Sequence, residues 1–111
     1  MYFEHVKGLN SEHKVIRHLQ NQGWKLLQHR FKTKMAEIDL IFQKNNELRM
    51  VEVKSVASWD FVSYRVSRSQ KQRLIRVYHY FQRRYALDIS LELALVPADG
   101  DILFIEIEND C

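Results

Sequence analysis

Three residues near the middle of the chain combine suitable chemistry with suitable spacing. Asp39 lies in Glu37-Ile38-Asp39-Leu40-Ile41, and Glu52 and Lys54 lie in Val51-Glu52-Val53-Lys54. Apart from these charges both stretches are aliphatic or β-branched, the composition of strands. Asn45-Asn46 between them tolerates the positive φ angles of a tight hairpin turn. A hairpin centred there sets Asp39 opposite Glu52 and Glu37 opposite Lys54. Two carboxylates whose Cβ atoms are ~5 Å apart repel unless one is protonated or a cation bridges them. Magnesium takes one or two carboxylates and completes its octahedron with water and phosphate oxygens, so Asp39 and Glu52 form a minimal metal set, in which manganese could substitute. Such an ion stabilises charge building up on a phosphoryl group and lowers the pKa of a water. Lys54 follows Glu52 by two positions, so strand alternation puts its ammonium on the same face, where it can orient or activate that water. The alternative is an ordinary Glu37–Lys54 cross-strand pair with Asp39 and Glu52 facing solvent. An acid pair amid apolar strands is nevertheless expensive unless used.

The elements that would position these groups follow from periodicity. Ser11 to Gln22 reads as a helix with Val15, Ile16 and Leu19 on one stripe and Gly23 as its stop, and Phe3, Val6 and Leu9 could extend it backwards. Strands are expected over Trp24 to Phe31, Met35 to Phe42 and Leu48 to Lys54. After a loop around Ala57 to Ser63, a second helix runs from about Arg68 to Tyr85, burying Leu74, Val77, Tyr78, Phe81 and Tyr85. Ile89 to Val96 and Ile102 to Ile107 close the chain as strands around the turn Pro97-Ala98-Asp99-Gly100. The order αβββαββ predicts an α/β domain with a mixed sheet and helices packed on it.

Two polar residues interrupt the helical patterns. Glu12 precedes Val15, Ile16 and Leu19 by three, four and seven positions, which places an acid on the apolar face, pointing into a cleft or stabilised by the helix dipole. Gln70 likewise precedes Leu74, Val77 and Phe81, by four, seven and eleven positions, although Ser67-Arg68-Ser69-Gln70 is also a capping box.

With 111 residues the chain is expected to form a single domain. No apolar run approaches the ~20 residues of a membrane span, and Glu4 and His5 stand where a signal peptide would be apolar, so we expect a cytoplasmic protein without membrane association. The lone cysteine, Cys111, can form no internal disulfide. The net charge of +3 hides an asymmetry: all 17 Lys and Arg precede residue 86, and the last 26 residues carry seven acids and no base. Arg65, Arg68, Lys71, Arg73, Arg76, Arg83 and Arg84 follow one another with no acid between them. That density suits a surface that meets the phosphates of DNA, with Arg65, Arg68, Lys71, Arg73 and Arg76 as contact candidates, the alternative being a solvated helix face. The five histidines do not cluster and Cys-x-x-Cys is absent, which argues against zinc. Neither a glycine-rich phosphate loop nor a Gly-x-Ser-x-Gly elbow occurs. Trp24, Trp59 and the tyrosines read as core or rim residues rather than base-stacking platforms.

Asp39 followed by Glu52-Val53-Lys54 resembles the Asp…Glu-x-Lys signature of restriction-endonuclease-like nucleases. Together with Gln70-Lys71-Gln72-Arg73, the ordered motifs resemble the bacterial YraN-like family, which is similar to archaeal Holliday junction resolvases. The resemblance spans roughly Ser11 to Val96. It implies an αβββαβ core, Asp39 and Glu52 as magnesium ligands, Lys54 as the water-activating group, and Glu12 and Gln70 as further catalytic residues. It also implies a homodimer and cleavage of structured or branched DNA. This chain departs from the family pattern at Ser11 and Ala36, where glycine is usual, at Val56, where a basic residue is often found, and at Ser90-Leu91-Glu92-Leu93, which lacks an arginine. A nuclease-like module that binds nucleic acid without cutting it, and a protein-interaction subunit that docks through its acidic C-terminal segment, are the competing readings.

Overall fold

The computed structural model describes residues 2–56 and 67–107, with side chains from residue 10 onward. The elements are α1 (Tyr2–Asn21), β1 (Lys25–Lys32), β2 (Glu37–Lys44), β3 (Glu47–Val56), α2 (Arg68–Arg84), β4 (Asp88–Pro97) and β5 (Leu103–Glu106). The five strands form one mixed sheet in the order β1-β2-β3-β4-β5. β3 and β4 are parallel and joined through α2, whereas the other neighbours are antiparallel. The expected α/β architecture is therefore present, with strand limits shifted by one or two residues.

Alternation along the strands explains why a helix covers each face. Val15 and Leu19 of α1 pack with Leu40, Phe42, Val51, Val53, Ala94 and Val96. Leu74, Ile75 and Val77 of α2 pack with Ile38, Ile41, Leu48, Met50, Ile89 and Leu91 on the other face. β3 and β4 are central and carry nearly continuous apolar runs, as strands covered on both faces do.

Both helices show their punctuation. Gly23, at φ +93°, ends α1 in a Schellman motif: its N–H donates to the carbonyl of Gln20 and that of Trp24 to the carbonyl of Leu19, each at 3.0 Å. At the start of α2, Ser67 Oγ accepts from the backbone N–H of Gln70 at 3.2 Å. Ser67→Ala is expected to cost about 1 kcal/mol, read as a fall in Tm of roughly 4–8 °C.

Three expectations need correction. α1 begins at Tyr2, so Glu12 lies in mid-helix, where a helix N-terminal dipole no longer explains it. Tyr85 is 48% exposed rather than buried, because α2 ends at Arg84 and Tyr85 turns into extended backbone (φ −128°, ψ 138°), which takes it off the helical stripe. Ile75, outside the expected stripe, is buried instead.

Candidate functional site

The hairpin register is the one the asparagine turn dictates: Lys44 pairs with Glu47, and the ladder continues to Leu40 opposite Val51. Asn45 takes φ +55° at the turn. The paired ladder ends there, although β2 stays paired with β1 as far as Glu37 and β3 with β4 as far as Val56. Alternation also breaks at this point. Ile38 packs on the α2 side with Ile41, whereas Leu40 between them packs on the α1 side. Asp39 sits in this break, and its Oδ2 accepts the backbone N–H of Val53 at 2.8 Å. One carboxylate oxygen thus takes up a β3 donor beyond the end of the ladder and ties the parting strands together.

Glu52 is buried, only 7% exposed, beside Asp39. Its carboxyl is pushed up to about 9, first by burial, then by a hydrogen bond to the Asp39 side chain and the Asp39 charge, with the Glu37 charge adding and Lys54 opposing. The direction follows from physics: a carboxylate in a poorly solvated place next to another acid holds its proton. A bound divalent cation would reverse that balance, because it supplies the charge that both acids lack. Asp39 with Glu52 fits the carboxylate share of a magnesium shell. Lys54 is partly exposed and acts on Glu52 with the sign expected of a nearby ammonium.

The remaining candidates fall in different places. Glu12 is buried on α1, and its Oε1 meets His29 Nε2 at 2.6 Å and Arg30 Nε at 3.4 Å. Ser11 beside it is buried and its hydroxyl bonds that of Ser55, the residue after Lys54, so α1 is tied to β3 next to the acidic pair. Among the described residues no group of three or more His, Cys, Asp or Glu side chains gathers as metal ligands, so Glu12 belongs with His29 and Arg30 rather than with Asp39 and Glu52. Gln70 donates its backbone N–H to the Ser67 cap of α2, and the residue is partly exposed. Arg68, Arg73 and Arg76 are exposed along α2, and Lys71 is partly exposed. Arg65 lies outside the described residues.

Two features escaped the sequence. Arg30 occupies left-handed backbone at φ +59° in β1, a rare conformation for a side chain of its size, and there its guanidinium reaches Glu12. The second is an ion pair between β3 and β4. Arg49 of β3 stands opposite Ser90, and its guanidinium grips Glu92 with two bonds of 2.6 Å, between the rings of Trp24 and Phe104 at 5.0 and 5.1 Å.

Comparison with known proteins agrees with the motifs. The model of the uncharacterised protein family UPF0102 matches residues 11–96. A UPF0102 protein of Campylobacter fetus subsp. fetus is 28% identical over 93 residues, covering 84% of this chain and 83% of its own. One of Roseobacter denitrificans is 32% identical over 103 residues, covering 89% of this chain and 80% of its own. One of Nitrobacter winogradskyi is 38% identical over 68 residues, covering 61% of this chain and 58% of its own. The family match takes in Glu12, both strands of the acidic pair, the cap of α2 and β4, so this chain belongs to UPF0102, the YraN-like family whose motifs it carries.

Proposed function

We propose that this chain is a magnesium-dependent endodeoxyribonuclease that hydrolyses phosphodiester bonds in structured or branched DNA. The observation that carries the reading is the buried Glu52 carboxyl against Asp39, at the place where the β2–β3 ladder ends. An acid pair so placed weakens the fold unless one member keeps its proton or the pair holds a cation. Asp39 and Glu52 would hold magnesium, which when bound neutralises phosphate charge and makes water more acidic. Asp39 is fixed by the Val53 N–H and shares a hydrogen bond with Glu52, a place that a cation would take over. Lys54 donates hydrogen bonds and sets the direction of a water for in-line attack on phosphorus. Gln70 stands at the start of α2, where Arg68 and Lys71 replace the acids usual in a first turn. Positive charge there costs ~0.3–1 kcal/mol per residue against the helix dipole, a cost that a bound phosphate offsets.

The test is metal removal. The protein is expected to nick a four-way DNA junction in magnesium or manganese, to stop in EDTA, and to resume when excess magnesium is restored. Nicking that persists in EDTA would defeat the assignment. A nuclease-like module that binds without cutting is the second reading, favoured by the commitment of Glu12 to His29 and Arg30. It predicts salt-sensitive DNA binding with no nicking under any metal.

No helix among the described residues is long and apolar enough to cross a membrane.

A further inference from the structure

Beside β1, at the far end of α2 from its cap, a groove of about 550 Å³ opens between strand and helix. Leu27, Phe31, Tyr80, Phe81, Arg84 and Tyr85 form its walls. Its aromatic side chains are not sealed into the core. Tyr85 stacks on Phe81 at 5.7 Å and 27° yet is 48% exposed, and Tyr80, 37% exposed, carries the Arg84 guanidinium at 5.1 Å. Phe31 meets Phe81 edge-on at 5.6 Å and backs the floor.

We propose that this groove captures an unstacked nucleobase of the DNA, so that the preferred substrate contains unpaired nucleotides. The proposal deepens the nuclease reading and rests on its binding half, the basic face of α2. Charge complementarity decides the occupant. Among the described residues Arg84 is the one charged residue in the lining and no acid lines it, and exposed Arg83 and Lys25 lie on the same two elements. A second copy of the chain docking symmetrically here would bring these cations together, whereas a strand of DNA brings phosphates to them. Aromatic faces with an arginine beside them are the usual means of holding single-stranded bases without regard to sequence. The groove also shares a sheet face with Glu52. Leu48 lines it, and Glu52 lies four residues further along β3, about 13 Å away at strand rise. A few nucleotides cover that distance even at the 3.4 Å rise of duplex DNA.

The test compares a fluorescently labelled single-stranded oligonucleotide with the duplex of the same sequence by polarisation, in EDTA so that cleavage plays no part. Tyr85→Ala is expected to weaken single-strand binding about tenfold while changing duplex binding less than twofold, and Tyr85→Phe to retain wild-type affinity. Arg84→Ala, at an exposed position, is expected to weaken both. An equal loss on single strand and duplex, or no loss with Tyr85→Ala, would overturn the proposal. So would a wild-type dimer in sedimentation that Tyr85→Ala converts to monomer with DNA affinity unchanged, since a second copy would then fill the groove. Because affinity is read without metal, a chain that captures single strands but never nicks would defeat the nuclease reading and leave this one standing.

Discussion

Asp39→Asn is expected to lower the rate of junction nicking by at least about a hundredfold while leaving DNA affinity in EDTA within about twofold. The substitution separates the two tasks of the side chain. An amide oxygen at position 39 can still accept the Val53 N–H that Asp39 accepts at 2.8 Å, so the parting strands keep their tie. What disappears is the negative charge. Lys54→Ala is expected to be as damaging and to show a further signature. The Lys54 charge lowers the pKa of Glu52, so its removal leaves that carboxyl protonated to higher pH. Any nicking that remains should then need more alkaline buffer. Rates for both variants within threefold of wild type, measured by gel under single-turnover conditions, would refute the assignment of these side chains.

The second large effect is on stability and is opposite in sign to the usual outcome of a buried substitution. Glu52→Gln is expected to stabilise the metal-free protein near pH 8 by on the order of 3 kcal/mol. The Glu52 carboxyl titrates at about 9 in the folded chain against an ordinary value of 4.5. The folded state therefore holds a proton that the unfolded chain releases. This contribution to stability is fully present below about 4.5, declines as pH rises above it, and is lost by about 9. Glutamine has no proton to lose, so the variant should show a flatter dependence of unfolding free energy on pH over this window, read by urea titration. Magnesium adds the complementary test. Cation binding must displace the proton, so magnesium should raise the Tm of the wild type more at pH 8.5 than at pH 6 and should not raise that of Glu52→Gln. A pH dependence unchanged by the substitution would show that Glu52 does not carry the linkage.

The parts of this site that could be read from the sequence are those governed by local chemistry. Asn45-Asn46 sets the hairpin register as far as Leu40 opposite Val51. Asp39 meets Glu52 just beyond the end of that ladder, where the expected pairs of Asp39 with Glu52 and of Glu37 with Lys54 are not formed as ladder pairs. Ser67 caps α2 for the reason that its hydroxyl and the Gln70 N–H are three residues apart. Periodicity carries no such information about contacts between separate elements. Glu12 looked anomalous on an apolar helix face, but nothing in its spacing pointed to His29 and Arg30, because the left-handed backbone at Arg30 is not encoded by any residue that favours it. The end of the β2–β3 ladder at Leu40 and Val51 was equally invisible, since both strands continue as good β sequence beyond it. No spacing rule singled out Arg49 on β3. Parallel pairing with β4 places it opposite Ser90 and beside Glu92, a contact 43 residues distant in sequence. Tyr85 was misplaced by a single residue of helix, enough to move a ring from the core to the mouth of a groove.

Crystals of the protein soaked in manganese, with anomalous differences recorded above and below the manganese edge, put the central claim to its plainest trial. One peak within coordination distance of oxygens from both the residue 39 and residue 52 carboxyl groups, with the Lys54 ammonium beside the remaining water positions, is the predicted result. Full manganese occupancy elsewhere on the molecule, with those two side chains still sharing a proton, would contradict it.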